Sequence, residues 1–87
     1  MYKLVLEKTV LKFFKKHKWE KVIEVFKSKF LLLSKDPYRD DLDIKVLIWE
    51  QDKYRLRIWK YRFLYEVDDK LITIYVFDGD SRWGIYK

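Results

Sequence analysis

The second half of the chain alternates apolar and polar residues with a period of two, and this pattern constrains the fold more than any other feature. The alternation occupies three stretches, residues 54–58, 61–67 and 72–76. Each stretch has the length of a half-buried β-strand, and the breaks near Trp59-Lys60 and Asp68-Asp69 are the size of tight turns. The pattern therefore predicts three strands joined in an antiparallel meander.

The first half of the chain predicts one short strand and two helices. Tyr2, Leu4 and Leu6 alternate with polar or smaller neighbours and indicate the strand. Thr9 is predicted to cap a first helix, because threonine can accept hydrogen bonds from the free N–H groups at a helix start. A second apolar series at helical spacing runs from about Glu20 to Leu33.

Pro37 is expected to stop the second helix, since proline lacks the N–H that a helix interior requires. Residues 38–50 are mixed in charge and are expected to be irregular. The order of strand, two-helix hairpin and a three- to four-stranded antiparallel meander predicts an α+β fold. A chain of 87 residues has room for one modest core, so a single domain over residues 1–87 is expected.

Composition excludes several classes of protein. The chain has no cysteine, which rules out disulfides and thiolate zinc sites and fits a reducing, cytoplasmic setting. No apolar run approaches the roughly 18 residues of a membrane span, and the start lacks the apolar segment of a signal peptide. Lys and Arg outnumber Asp and Glu by 20 to 14, so the formal charge of +6 favours polyanionic partners.

The arginines are concentrated where the strands are predicted. A two-residue loop at Trp59-Lys60 would place Arg57 directly opposite Arg62, with Arg55 on the same face of the sheet. Like charges at opposed positions destabilise a sheet, and a phosphate held between two guanidinium groups would compensate for this. In the alternative interpretation, the arginines extend into water or form ion pairs with acidic residues, namely Glu66, Asp78 or Asp80.

The motifs of the chain resemble those of a known toxin family. Residues 54–58 read YRLRI and residues 60–67 read KYRFLYEV, which is similar to the paired-strand core of RelE/ParE toxins. Lys8-Thr9-Val10 resembles the start of that family's first helix, and Asp36-Pro37-Tyr38 resembles the turn after its second. The ending, Asp80-Ser81-Arg82 followed by Ile85-Tyr86, is similar to the family's C-terminal motif.

This resemblance implies a toxin of a type II toxin–antitoxin pair. Its RelE branch implies a ribosome-dependent endoribonuclease in which a ribose 2′-OH attacks the adjacent phosphate of mRNA. The implied partners are a cognate antitoxin, the ribosome and mRNA, with no membrane, metal or small-molecule cofactor. The ParE branch implies instead a toxin without catalysis that inhibits DNA gyrase by contact, and an inactive or redesigned scaffold is a third possibility.

Matching positions imply roles for individual residues. Arg62 corresponds to the main phosphate clamp, and Arg57 and Arg82 to further catalytic positive charges. Tyr86 corresponds to a catalytic tyrosine that orients the 2′-OH or stacks on a base. The expected RNA-binding residues are Arg55, Lys53 and Trp83.

The chain also departs from the family pattern. Ser81 stands where many members carry a histidine, and the single histidine, His17, is expected to be a solvated helix residue. Proton transfer would then fall to Asp80, Glu66 or Tyr86, or catalysis would rest on positioning and electrostatics within the ribosome. Three tryptophans, Trp49, Trp59 and Trp83, occupy positions where related chains often have small residues.

The hairpin turn and a group of three aspartates each carry a further expectation. Trp59 lies in the hairpin turn at a position that often needs positive φ, which a bulky residue resists. Asp40, Asp41 and Asp43 could suggest a metal site, but they lack the spacing of a calcium loop, and a solvated turn is the preferred interpretation.

Overall fold

A computed structural model describes residues 1–47 and 52–80 of the chain. These residues form two helices and five strands in the order predicted from the sequence, and the predicted three- to four-stranded meander has four strands. The elements are β1 (Lys3–Leu6), α1 (Lys8–Lys16), α2 (Val22–Lys35), β2 (Asp43–Val46), β3 (Lys53–Ile58), β4 (Tyr61–Asp68) and β5 (Thr73–Asp80).

The strands form one mixed sheet in the order β1-β5-β4-β3-β2. Strands β2 to β5 make a four-stranded antiparallel meander, and β1 pairs in parallel with β5 at the far edge. Parallel neighbours require a crossover connection, and the two helices between β1 and the meander contribute to it. The predicted α+β fold is confirmed.

The expectation that residues 38–50 are irregular is wrong for residues 43–46. These residues form β2, which pairs with β3 through Ile44 opposite Leu56 and Lys45 opposite Arg55. A strand of four residues carries little periodic signal. Its backbone hydrogen bonds come from a neighbour more distant in sequence, so local pattern could not reveal it.

The predicted register of the β3–β4 hairpin is confirmed. Ile58 pairs with Tyr61, Arg57 with Arg62, and Leu56 with Phe63. The apolar members of these pairs face the helices and are at most 5% exposed. Burial of one face holds this register, because a slip of one residue would move every apolar side chain to the other face.

Aromatic rings build the core between the helices and the sheet. Phe63 lies at the centre, with ring centroids 5.0 Å from Phe30, 5.1 Å from Phe26 and 5.3 Å from Phe13, all at steep interplanar angles. Such edge-to-face contacts add to the energy of apolar burial. Gly79 faces this ring, and a Cβ there would lie 3.0 Å from Phe63, so glycine leaves room for it.

The helix boundaries differ from the predictions in detail. Helix α1 begins at Lys8 with Glu7 at the N-cap position, and no side chain caps it. The capping role predicted for Thr9 is wrong, because its hydroxyl donates to the carbonyl oxygen of Phe77 at 3.1 Å. Helix α2 begins and ends two residues later than predicted, and Pro37 follows its end as expected.

His17 is not the solvated residue that the sequence suggested. Its side chain is only 13% exposed, and its Nδ1 lies 2.7 Å from the carboxylate of Glu20. Its ring lies against Phe13 and Tyr61, with centroids 4.5 and 5.3 Å away. Tyr61 faces the helices, so His17 belongs to the helical side of the molecule.

Two of the turns contain residues with unfavourable backbone angles. Trp59 has φ 57°, which confirms that its place in the hairpin requires positive φ. Ile72, expected to open the last strand, instead precedes β5 with φ 48° and is 52% exposed. Positive φ is costly for residues with a Cβ and most unusual for a β-branched side chain.

Within the described ranges, neither helix has the length and apolar character needed to cross a membrane.

Candidate functional site

The face of the sheet away from the helices carries a row of basic side chains. Strand β3 contributes Lys53, Arg55 and Arg57, and β4 contributes Arg62. The alternation of the two strands sends Leu56 and Phe63 into the core and these four residues to the opposite side. We call this surface, defined by Lys53, Arg55, Arg57 and Arg62, the arginine face.

Arg57 and Arg62 are the opposed pair at the end of this face nearest the hairpin turn. Arg62 is 4% exposed, whereas the side chain of Arg57 is 40% exposed. The pair therefore combines one buried and one accessible guanidinium. Arg55 is nearer the middle of β3, with its side chain 13% exposed, and its backbone pairs with Leu64.

An acidic residue that was expected in a solvated turn lies directly beside the arginines. Asp43 is in β2, opposite Arg57, and its Oδ2 accepts a hydrogen bond of 2.7 Å from Arg57 Nε. Its Oδ1 accepts one of 2.8 Å from Arg55 Nη2. The interpretation of Asp43 as a solvated turn residue is thus wrong, because one carboxylate bridges two of the predicted site residues.

No sequence signal identified this bridge in advance. The ion-pair alternative proposed Glu66, Asp78 or Asp80 as partners, which all lie in or near the predicted meander. Asp43 comes to the arginines through β2, the strand that the sequence pattern did not reveal. Arginine and carboxylate on neighbouring strands form a favourable cross-strand pair, so the pairing becomes evident once the register is known.

The arginine face continues into a recess at its other end. A cavity of about 330 Å³ is lined by Lys53, Glu66, Glu7 and the rings of Tyr75 and Phe77. Lys53 Nζ lies 3.7 Å from Glu66 Oε1 and 6.0 Å from the centre of the Phe77 ring. The recess combines a cation, carboxylates and flat apolar surfaces.

Three of the predicted site residues, Arg82, Trp83 and Tyr86, lie outside the described residues, as does Trp49. Arg55, Arg57, Arg62 and Lys53 are brought together as expected. The backbone of Asp80 pairs with Arg62 in the register of β4 and β5.

The chemistry available to this surface is that of anion binding. Guanidinium groups offer planar forks of N–H donors that match the oxygens of a phosphate. Among residues 1–47 and 52–80, no group of three or more histidine, aspartate or glutamate side chains could hold a metal ion. Asp40, Asp41 and Asp43 form no such group, and Asp41 pairs with Arg39.

A second polar cluster lies outside the arginine face and ties the fold together. Asp69, in the turn after β4, accepts hydrogen bonds from the hydroxyls of Tyr2 at 2.6 Å and Tyr38 at 2.8 Å. These bonds lower the pKa of the Asp69 carboxyl. The pKa of Tyr2 is raised, mainly by its hydrogen bond to Asp69, and that of Tyr38 is raised mainly by desolvation.

The arrangement of these elements matches that of solved toxin structures. The intact RelBE toxin–antitoxin complex of E. coli contains a chain that is 22% identical over 97% of this chain and 100% of its own length, with a TM-score of 0.79. The chain has the RelE toxin fold. No protein-family model matches the chain, and no curated protein sequence matches it.

Two further RelE-fold structures come from other organisms. The archaeal RelE–RelB complex from Pyrococcus horikoshii is 24% identical, covers 91% of this chain and 92% of that chain, and has a TM-score of 0.78. The toxin–antitoxin complex RelBE2 from Mycobacterium tuberculosis is 27% identical, covers 93% of this chain and 98% of that chain, and has a TM-score of 0.74. The RelE fold thus extends along nearly the whole chain.

Proposed function

We propose that the protein is the toxin of a type II toxin–antitoxin pair and cleaves mRNA on the ribosome. The observation that carries the proposal is the opposition of Arg57 and Arg62 on neighbouring strands, with Arg55 next along the same face. In a RelE fold of one domain over residues 1–87, this arrangement suits a phosphate held between the strands. The proposal places the toxin in the cytoplasm, where ribosomes are.

The reaction proposed is an internal transesterification. The 2′-oxygen of a ribose forms a bond to the adjacent phosphorus while the bond to the 5′-oxygen breaks, which leaves a 2′,3′-cyclic phosphate and a 5′-hydroxyl. Negative charge builds on the phosphate oxygens in the transition state, and positive groups already in place stabilise it. Arg62 and Arg57 are proposed as the main clamp, and Arg82 as a further positive charge.

Proton transfer needs a group near that clamp, and the distances along β4 weigh against Glu66. Arg62 and Glu66 are four residues apart on one strand, which corresponds to about 13 Å between their backbones. Asp80 pairs with Arg62 through the backbone and is the better candidate in the described part of the chain. Tyr86 is proposed to orient the 2′-OH, and Lys53 and Trp83 to contact neighbouring nucleotides.

The proposal includes a cognate antitoxin. The neighbours described above were solved as toxin–antitoxin complexes. An apolar groove of about 460 Å³ between β1 and α2, lined in part by Leu4, Leu6 and Leu31, offers a surface for an amphipathic segment. Acidic residues on such a partner would be attracted to the net positive charge of the toxin.

The first experiment is a cell-free translation reaction containing the purified protein, with mRNA ends mapped by primer extension. New 5′ ends that appear only with translating ribosomes are expected. Arg57→Ala should lower the cleavage rate at least about 100-fold, in line with the loss of one donor from a site that stabilises a transition-state anion. Lys16→Ala, on α1, removes the same charge elsewhere and should cleave like wild type.

Arg62 requires a more careful substitution because it is buried. Arg62→Met retains most of the side-chain volume and removes the guanidinium, and it is expected to abolish cleavage. Its thermal unfolding should be recorded beside that of wild type to show that the fold survives. A folded Arg62→Met variant that cleaves at the wild-type rate would show that the phosphate clamp is wrongly assigned.

A gyrase supercoiling assay run in parallel tests the second candidate. Ser81 stands where many RelE-like chains have a histidine, and this departure favours the ParE-like alternative. Intact mRNA together with blocked supercoiling would move the protein to that branch. Intact mRNA and normal supercoiling together would indicate an inactive or redesigned scaffold.

A further inference from the structure

Asp43 occupies the arginine face as an anion supplied by the protein itself. Its two carboxylate oxygens accept hydrogen bonds from two different arginines, Arg57 at 2.7 Å and Arg55 at 2.8 Å. Bonds of this length from charged donors are at the strong end of the range for such pairs. A phosphate oxygen approaching the same donors would meet a carboxylate already bound there.

The strand order places Asp43 in this contact. Asp43 lies directly across from Arg57, and Arg57 lies directly across from Arg62. The charges therefore follow the order negative, positive, positive over three adjacent strands. Asp43 relieves part of the repulsion between the opposed arginines, a role that the amino-acid pattern had suggested for a bound phosphate.

Two effects of Asp43 on RNA binding oppose each other. The carboxylate holds Arg55 and Arg57 in place, and this order favours binding because less side-chain entropy is then lost. It also repels any phosphate bound to the same arginines. The Arg55 side chain is only 13% exposed and is held mainly by its surroundings, so ordering by the carboxylate chiefly concerns Arg57, whose side chain is 40% exposed. Ordering one such side chain changes an affinity by about two- to tenfold. Two unit charges about 6 Å apart, at an effective dielectric constant of about 40, change it by about tenfold, so the repulsion is the larger effect.

We propose that Asp43 is a specificity-determining residue that competes with RNA phosphate for Arg55 and Arg57. This inference rests on the proposed function, because it takes the arginine face as the surface that receives RNA. Isolated phosphates and small anions gain too little to displace the carboxylate. A strand of RNA offers several phosphates to the basic residues at once and can replace it.

The test uses a ten-nucleotide single-stranded oligouridylate RNA with a fluorescent label and measures binding by anisotropy over a range of salt concentrations. Asp43→Asn retains the shape of the side chain and removes its charge. It should bind the RNA about tenfold more tightly than wild type at low salt. The plot of log affinity against log salt should be steeper by about 0.7, because one more phosphate contact forms.

A matched control separates the local effect from a change in net charge. Asp41→Asn adds the same charge, and Asp41 pairs with Arg39 away from the arginine face. It should bind RNA with an affinity within twofold of wild type.

Asp43→Glu keeps the carboxylate and should retain wild-type affinity. If the role of Asp43 were purely structural, removing its charge would not strengthen RNA binding while keeping its charge left binding unchanged.

Three results would overturn the inference. In the first, Asp43→Asn binds RNA no more tightly than Asp41→Asn. In the second, Asp43→Asn binds RNA more weakly than wild type. In the third, neither wild type nor Asp43→Asn binds RNA detectably. Arg62→Met in the same assay identifies which proposal has failed. If Arg62→Met weakens binding and Asp43→Asn does not strengthen it, only the inference fails; if folded Arg62→Met binds like wild type, the clamp itself is wrong.

Discussion

Tyr65 shows how a single residue can join the core to a loop. Its ring is fully buried and stacks on Tyr54 at 5.3 Å, while its hydroxyl donates a hydrogen bond of 2.9 Å to the carbonyl oxygen of Pro37. Burial raises the pKa of this hydroxyl, because a charged phenolate would be poorly solvated at this site. The bond anchors the segment after α2 to the centre of the sheet.

Replacing Tyr65 by phenylalanine tests the value of this bond. Tyr65→Phe keeps the ring and leaves the Pro37 carbonyl without its donor, so the free energy of unfolding should fall by about 1–2 kcal/mol. Urea unfolding would measure the loss. Tyr54→Phe is the matched control, since it also removes one hydroxyl; equal losses in the two variants would contradict the assigned role of the Tyr65 bond.

The Asp69 cluster predicts a specific acid sensitivity. The hydrogen bonds from Tyr2 and Tyr38 lower the pKa of Asp69 below its ordinary value of 3.8. Because the folded pKa lies below the unfolded one, the stabilisation is present above about pH 4 and is lost as pH falls through the folded pKa. The stability of wild type should therefore decline in this acid range partly through Asp69.

Removing the hydroxyls of Tyr2 and Tyr38 should remove the part of the acid-induced loss of stability that depends on Asp69. We expect the double variant Tyr2→Phe/Tyr38→Phe to be less stable than wild type at pH 6 and to lose less further stability between about pH 4 and pH 2. Urea unfolding at each pH would show this. The half-buried Tyr75→Phe serves as control, and parallel acid profiles for wild type and the double variant would count against the Asp69 linkage.

At the scale of elements, the turns of the meander carry the least favourable backbone. The β3–β4 hairpin places Trp59 at positive φ, where the residue is 72% exposed and its ring centroid lies 6.0 Å from that of Tyr61. The β4–β5 turn holds Ile72 at positive φ, although Asp68 organises that turn by accepting hydrogen bonds from the backbone N–H groups of Lys70 and Leu71. Pairing of the flanking strands holds both turns, and the Asp68 hydrogen bonds add to this in the second.

A substitution at Ile72 would measure how much free energy the positive φ costs the folded protein. Asparagine tolerates positive φ better than a β-branched residue, and the exposed Ile72 side chain contributes little burial. Ile72→Asn should raise the free energy of unfolding by about 1 kcal/mol. Leu71→Asn removes a similar exposed side chain at a neighbouring site and should have almost no effect; a loss of stability in Ile72→Asn would show that the side chain matters more than its φ.

At the scale of the whole molecule, one face of the sheet packs into the core and the other carries basic side chains. One face and the two helices enclose the aromatic core, and the lysines of the first 35 residues lie mostly on the exposed surface of that layer. The other face gathers Lys53, Arg55, Arg57 and Arg62. The meander brings Asp43 to the same surface through its edge strand, and Glu66 lies on it beside Lys53, so these four cations share the face with two carboxylates.

The amino-acid pattern alone was sufficient to predict the fold class and, with a two-residue loop assumed at Trp59-Lys60, the β3–β4 register and the face that carries the arginines. All three follow from local periodicity, because alternating side chains leave a hairpin of this length one way to bury its apolar face. The need for positive φ at Trp59 was also foreseeable, since a two-residue hairpin loop imposes it whatever residue is present.

Contacts between residues distant in sequence were decided only by the tertiary structure. Four features depend on partners far along the chain: strand β2, the Asp43 bridge, the packing of His17 against Tyr61, and the bond from Thr9 to the Phe77 carbonyl. A short strand or a lone aspartate has no periodicity to reveal its partner. Its hydrogen bonds and ion pairs exist only after the sheet has assembled and brought those partners within reach.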